Sequence, residues 1–322
     1  MSDVRCYLLK NKIFQKIIYL MEWSDLITQA EEIAQENVSV ASKSIYQSRL
    51  NSYEKTLDKL NQPPFPITSE KIQGFLIYKK NNGCTYNTLI AYICAFNYYF
   101  RQNDLDILTN SIEFKNFKNG LRRTMKGDTC PKAKQPFDIQ WFKLYLEKFD
   151  MNTFQDYLFY FYMCLSFSAF LRISELENLK KSDFKLSEDK KVLTINIQSS
   201  KTDQFGRGAL TYIYKNESIW CPINYISILD QFEKDDDKIM IYSIQALRSH
   251  LQVVLKAIGI QDPQNYSWHS FRRGGAYLCG MHQVPDSIIK AHGRWRSSAY
   301  IRYISVDMSH AGERIADTFG SI

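Results

Sequence analysis

The sequence lacks the features that mark membrane and secreted proteins. No apolar run approaches the roughly 20 residues that a membrane-spanning helix needs. The apolar stretch from Ile17 to Met21 is short and has no small-residue cleavage site after it, unlike a secretory signal. The chain also has no internal repeat and no low-complexity tract. These absences predict an intracellular protein with no membrane partner.

The cysteines and histidines argue against a metal site. The seven cysteines are widely spaced with no CxxC pair, and the five histidines include no HExxH pattern. An odd, scattered set of cysteines indicates free thiols in a reducing compartment, not a disulfide framework or a zinc site. We therefore expect neither a metal nor any other cofactor.

The composition is that of a globular protein with a basic N-terminal half. With 322 residues, 45% of them hydrophobic and 23% charged, the chain is long enough for two modest domains. Residues 1–136 carry 19 Lys and Arg against 13 Asp and Glu, and the remainder carries 22 against 21. A basic half suits binding along a phosphate backbone, although many solvated helical surfaces are also slightly basic.

Residues 1–126 are predicted to form a helical bundle. Apolar residues recur at helical spacing from Trp23 onward, and four further helices are predicted; they span Lys43 to Leu60, Thr68 to Lys80, Thr85 to Arg101, and Leu108 to Met125. The last carries a basic strip that predicts contact with DNA, or simply a solvated face: Lys115, Lys118, Arg122, Arg123 and Lys126.

A linker at 127–136, with two prolines and a glycine, separates this bundle from residues 137–322. The second part is predicted to be mostly helical, with a buried helix from Asn152 to Phe170. Two strands, at 191–198 and 209–214, alternate in polarity. A further helix is expected from Cys221 to Phe232. The predicted fold class is mainly α, an N-terminal bundle followed by a mostly-α domain with a small antiparallel sheet.

Three separated islands carry residues suited to phosphate chemistry. Arg172 follows an apolar segment, just before a helix whose start is indicated by a capping box of Ser174 and Glu177. A buried guanidinium must be paired or functional, and a salt bridge to Glu175 or Glu177 is the plain alternative.

Lys201 lies in the turn between the two strands, where a lysine is usually just solvated. His269 and Arg272 are three residues apart, so they share one face of a helix start. Each island alone is a weak signal.

In this order the islands resemble the catalytic domain of the tyrosine recombinases, also called the phage integrase family. The matching residues are Arg172-x-x-Glu175-Leu176, Lys201, His269-x-x-Arg272, Gly293-Arg294-Trp295 and Tyr303. The likeness spans about residues 22–320 and extends to the preceding helical domain, which in this family is a SAM-like core-binding domain. Three short segments look most similar to those of recombinases from Crypton or DIRS mobile elements: Ser-Ser-Lys-Thr-Asp, Trp-Cys-Pro and Gly-Arg-Trp.

The resemblance implies site-specific cleavage and rejoining of double-stranded DNA through a covalent 3′-phosphotyrosyl intermediate, without metal or cofactor. Such an enzyme is expected in the nucleus of a eukaryotic host and otherwise in the cytoplasm. Arg172 and Arg272 would clamp the phosphate, with His269 and Trp295 as further donors. Lys201 would be the general acid, and Glu175 would orient the histidine or an arginine. The family's C-terminal tail implies a dimer or tetramer on DNA, although that tail could equally fold back on its own domain.

Two tyrosines are candidates for the nucleophile, and Tyr303 is preferred. Tyr303 follows Trp295 by eight residues, one fewer than the family's common interval, and Tyr300 is the alternative on the same predicted helical face. His292 could replace Trp295 in its role. Two other functions fit the same motifs: a type IB topoisomerase, and a domesticated DNA-binding protein that has lost its chemistry.

Overall fold

The computed structural model describes residues 25–29, 38–125, 134–198 and 208–304. The chain divides into two compact units, residues 1–131 and 132–322. Both are mainly helical, and the second contains a three-stranded antiparallel sheet, so the expected fold class is confirmed. Within those described ranges, no helix is both long and apolar enough to cross a membrane. Most of the predicted linker lies outside them.

In the described part of the first unit, four long helices each begin at a capping hydroxyl side chain. They are α1 (Val40–Lys59), α2 (Ser69–Asn81), α3 (Tyr86–Gln102) and α4 (Ile112–Thr124). The capping hydroxyls, each accepting the N–H three residues ahead, belong to Ser39, Thr68, Thr85 and Ser111. The segment predicted from Trp23 is described only at 25–29, where it is helical.

Aromatic rings form the centre of this unit. Tyr53, Phe75 and Phe96 are fully or almost fully buried and meet edge to face, with ring centroids 5.0 to 6.0 Å apart. The single helix predicted from Leu108 to Met125 is wrong in its first turn. Leu108–Asn110 is a 3-10 helix, and α4 starts only after the backbone of Ser111 has turned extended.

Helices also build most of the second unit. They are α5 (Gln140–Lys148), α6 (Phe154–Ser168), α7 (Ile173–Asn178), α8 (Ile244–Ala257), α9 (His269–Met281), α10 (Asp286–His292) and α11 (Ile301–Ile304). As the apolar pattern predicted, α6 is buried along almost its whole length. The helix expected from Cys221 to Phe232 forms as a 3-10 helix over Pro222–Gln231.

The sheet has the order β1-β2-β3. The strands are β1 (Phe184–Leu186), β2 (Val192–Ile197) and β3 (Ala209–Tyr214), with Thr194 of β2 facing Lys185 on one side and Tyr212 on the other. The sequence predicted β2 and β3. β1 was missed because three residues are too few to show an alternating pattern.

Two glycines let α9 approach its neighbours closely. A Cβ atom at Gly274 would lie 2.3 Å from the carbonyl oxygen of Phe137. At Gly275 it would lie 2.3 Å from the carbonyl oxygen of Phe167 and 2.5 Å from the Phe170 ring. Backbone cannot yield as a flexible side chain does, so glycine is required here by space and not by an unusual φ.

We expect Gly275→Ala to lower the free energy of unfolding by roughly 1–3 kcal/mol, because the added methyl group overpacks the junction of α9 with α6. Denaturant unfolding measures the change. Gly120→Ala is the matched control in α4, where a Cβ meets nothing within 4 Å. That variant should be more stable by about 0.5–1 kcal/mol, the usual gain in a helix. Equal effects at both sites would contradict this account of Gly275.

Candidate active site

The segment between α6 and α7 brings the first island into position. Phe170 has a φ of 49°, a left-handed conformation that turns the chain sharply after α6. Arg172 is the N-cap of α7, and the Glu175 carboxylate accepts its backbone N–H at 3.0 Å. The predicted helix start is therefore correct. The capping box of Ser174 and Glu177 is wrong, since Glu175 fills the acidic role.

Glu175 lies between two arginines. Its side chain is fully buried, with one oxygen 2.5 Å from Arg172 Nη1 and the other 2.9 Å from Arg294 Nη2. Burial acts to raise the pKa of Glu175, but the charges of Arg294, Arg172 and Arg272 outweigh it and leave the pKa below its usual value. Glu175 is thus ionised at neutral pH.

Arg272 projects from the first turn of α9 and is completely buried. Its guanidinium donates to the carbonyl oxygens of Phe170 and, at 2.5 Å, Gly293. It also stacks on the Trp295 ring, 4.2 Å from the centroid. Burial, together with the nearby charge of Arg172, lowers the pKa of Arg272 to about 9. The guanidinium still carries its proton at neutral pH.

The site therefore holds an excess of positive charge. Among the described residues, Arg172, Arg272 and Arg294 share a single close carboxylate, that of Glu175. Burying uncompensated cations costs free energy, and a bound anion offsets that cost. The arrangement is suited to a planar, bidentate grip on an oxyanion such as a phosphate.

A tyrosine and a histidine meet beside these cations. The hydroxyl of Tyr303, on α11, lies 2.9 Å from Nε2 of His269, the first residue of α9. Burial, followed by the charges of Arg272, Arg273 and Arg172, lowers the pKa of His269 to about 4, although Glu175 acts to raise it. The imidazole is neutral at pH 7, so Nε2 is able to accept the phenolic proton.

Aromatic contacts distinguish the two candidate tyrosines. The Tyr303 ring lies 5.5 Å from the Trp295 ring and 4.9 Å below the Arg273 guanidinium. The Tyr300 hydroxyl instead donates to Asp286 at 3.4 Å, and the Tyr300 ring lies 6.2 Å from Trp295. Only Tyr303 of this pair presents its hydroxyl to the histidine.

The other candidates of the second unit have mixed outcomes. Lys201 lies outside the described residues. His292 contacts the carbonyl oxygen of Ser168 through Nε2 at 2.8 Å, which occupies it structurally. The sequence alone predicted no role for Arg294 or Arg273 in this site, although Arg294 stands between Gly293 and Trp295 in the motif.

The first unit contains a polar groove of about 940 Å³ between α1 and α2. Lys55, Lys59 and Lys79 line it together with serine, asparagine and glutamine side chains, and its described lining residues include no carboxylate. Lys79 Nζ donates to Ser52 Oγ at 3.0 Å and lies 5.3 Å from the Phe75 ring centroid. The groove therefore has a fixed cation on its wall.

The basic strip predicted on α4 is a separate surface of the same unit. Lys115, Arg122 and Arg123 are exposed, Lys118 is half-buried, and Lys126 lies outside the described residues. Sequence reasoning missed the groove, since its lysines are widely spaced among uncharged polar residues.

Several solved structures are similar to this chain in fold. No family model matches the sequence, and no curated protein matches it. A Tn1549 transposon integrase bound to transposon end DNA is similar at a TM-score of 0.63 and 14% identity, over 90% of this chain and 98% of that one. XerH recombinase bound to its difH substrate gives 0.62 and 16%, over 90% and 84%. A lambda integrase dimer bound to a core site gives 0.59 and 15%, over 87% and 76%. The chain shares the fold of these tyrosine recombinases.

The lowered pKa of His269 predicts a pH dependence of stability. The folded state takes up the His269 proton only near pH 4, whereas the unfolded chain does so near pH 6.5. The unfolded state therefore binds more protons between these values, and stability falls as pH drops through that window. We expect wild type to lose more stability from pH 6.5 to 4.5 than His269→Gln, by up to a few kcal/mol. An equal loss of unfolding free energy in the two proteins from pH 6.5 to 4.5 would refute this prediction.

Proposed function

We propose that the chain is a tyrosine recombinase that cleaves and rejoins double-stranded DNA at specific sites. The observation that carries the proposal is the Tyr303 hydroxyl, hydrogen bonded to a neutral His269 beside an excess of buried guanidinium charge. A nucleophile, a base and cations for a phosphate are the three parts that such a reaction needs. The shared fold and the ordered motifs agree with it.

The proposed reaction exchanges one phosphodiester for another. The Tyr303 oxygen bonds to phosphorus while its proton passes to Nε2 of His269, and the bond to the 5′-oxygen breaks. The leaving oxygen takes up a proton, which the family resemblance assigns to Lys201. The products are a 3′-phosphotyrosyl link and a free 5′-hydroxyl. Because the new bond is itself a phosphodiester, a second 5′-hydroxyl can displace the tyrosine without an energy source.

Arg172 and Arg272 would stabilise the transition state. The pentavalent phosphorus concentrates negative charge on its nonbridging oxygens, and guanidiniums present paired donors that stay charged. Trp295 would hold Arg272 in place by stacking. The resemblance implies that its indole N–H would also donate a hydrogen bond to a nonbridging phosphate oxygen. These residues supply the positive charge that a metal provides elsewhere, so we expect cleavage to persist in EDTA.

Several finer assignments follow from resemblance. The motif likeness favours a mobile-element recombinase of the Crypton or DIRS type, acting as a dimer or tetramer on DNA in the nucleus of a eukaryotic host. The division into a core-binding unit and a catalytic unit has the same support. Tyr303 is preferred to Tyr300 on the strength of its contact with His269.

The groove of the first unit is our proposed DNA-contact surface there. Lysine pairs with phosphates or guanine, and asparagine and glutamine read adenine, so a helix face presenting Gln47, Asn51 and Lys55 suits a DNA groove. Lys79 would add a phosphate contact at little entropic cost, because its ammonium is already held by Ser52. The strip on α4 is the alternative surface.

We expect Tyr303→Phe to abolish the covalent protein–DNA adduct while DNA binding persists, because only the attacking oxygen is lost. The substrate is a set of nicked duplexes tiled across the DNA that flanks the encoding gene, and a denaturing gel reveals the adduct. Tyr300→Phe is the matched control and should retain adduct formation. An adduct that persists in Tyr303→Phe but disappears in Tyr300→Phe would assign the nucleophile to Tyr300 instead.

A second prediction tests the groove. Replacing Lys55, Lys59 and Lys79 together with glutamine should reduce the slope of log affinity against log salt concentration by roughly 2 to 3, about 0.9 for each lost phosphate contact. The comparison variant replaces Lys115, Lys118, Arg122 and Arg123 on α4 in the same way. A slope that falls only in the α4 variant would move the interface from the groove to the strip.

A further inference from the structure

Arg294 has a position that the proposed reaction does not explain. It lies in the turn between α10 and Trp295 with a φ of 57°, a backbone conformation that favours glycine or asparagine. Its side chain is only 10% exposed, and neither a turn nor a solvated surface requires arginine there. A large cation kept buried on a strained backbone indicates a specific role for the side chain.

The contacts of Arg294 tie two distant segments together. Nη1 donates to the carbonyl oxygens of Ala169 at 3.1 Å and His292 at 2.9 Å. Nη2 donates to the carbonyl oxygen of Phe170 at 3.1 Å and to Glu175 at 2.9 Å. The guanidinium fork thus joins the turn that carries Trp295 to the segment that carries Arg172.

Glu175 passes this constraint on to Arg172. Its second oxygen and the Arg172 guanidinium are 2.5 Å apart, and it also caps the backbone of Arg172. The charged groups that act on this carboxylate are Arg294, Arg172 and Arg272, and the titratable His269 lies within electrostatic reach of it. Arg294 contributes the largest of the charge effects that keep it ionised. Protonated Glu175 would hold Arg172 only weakly.

We propose that Arg294 is a positioning residue, which fixes the Arg172 guanidinium through Glu175 and fastens the Trp295 turn to the start of α7. The inference rests on the proposed DNA cleavage. Arg294 itself contacts neither the Tyr303 hydroxyl nor His269 in the described hydrogen bonds. Its effect on the reaction is therefore exerted through the carboxylate.

The test is the pH profile of single-turnover adduct formation on the nicked duplexes. Arg294→Gln removes the positive charge, so the pKa of Glu175 rises and the acid limb of the rate profile moves to higher pH. We expect at least a tenfold loss of rate near pH 6 and partial recovery above pH 8. In a Glu175→Gln background, where this carboxylate is absent, adding Arg294→Gln should not move the acid limb any further. Arg248→Gln, an exposed arginine on α8, is the matched control and keeps the wild-type profile.

Arg294→Lys separates charge from geometry. Lysine keeps the charge but lacks the fork, so the acid limb should stay in place while the rate falls at every pH. Thermal melts report folding, and if Arg294→Gln does not fold, the lysine variant decides alone. A wild-type rate in Arg294→Lys, or equal loss at every pH in a folded Arg294→Gln, overturns the proposal. No adduct from wild type would instead reject the cleavage function itself.

Discussion

The buried carboxylate of Glu175 is the interaction on which the site depends. It joins the start of α7 to the turn after α10, two segments more than a hundred residues apart in sequence. Without it, Arg172, Arg272 and Arg294 would repel one another in a region of low dielectric. One negative charge is enough to hold the three guanidiniums together but too little to neutralise them. The described residues of the site therefore keep a net positive charge, whose burial cost a bound anion would offset.

Burial and the same positive charges together set the protonation state of His269. A protonated His269 would add a further charge to a buried, already cationic cluster, so its pKa falls and the neutral ring persists. A neutral imidazole can accept a proton, which an imidazolium cannot. In the proposed reaction the cations would thus serve two purposes: they would bind the phosphate, and they help to keep the neighbouring imidazole neutral.

Periodicity and capping predicted most helices and two of the three strands. The order of the motifs predicted that Arg172, His269, Arg272 and Tyr303 lie in one site. These patterns are local in sequence, or rest on a family likeness. The role of Arg294 could not be predicted, because its partners are carbonyl oxygens and a carboxylate fixed only by the fold. The groove was missed for a similar reason, since its lining comes from α1 and α2 together and no single stretch is strongly basic.

Trp295 links the two halves of the proposed chemistry. Arg272 stacks on its ring, and the rings of Tyr303 and Phe170 lie 5.5 Å and 6.0 Å from it. An indole has only two side-chain torsions and is 8% exposed here, so packing fixes its plane. Because both contact the same rigid ring, the Arg272 guanidinium and the Tyr303 ring keep their separation without a direct bond between them. Such fixed separation is what in-line attack on a phosphorus atom requires.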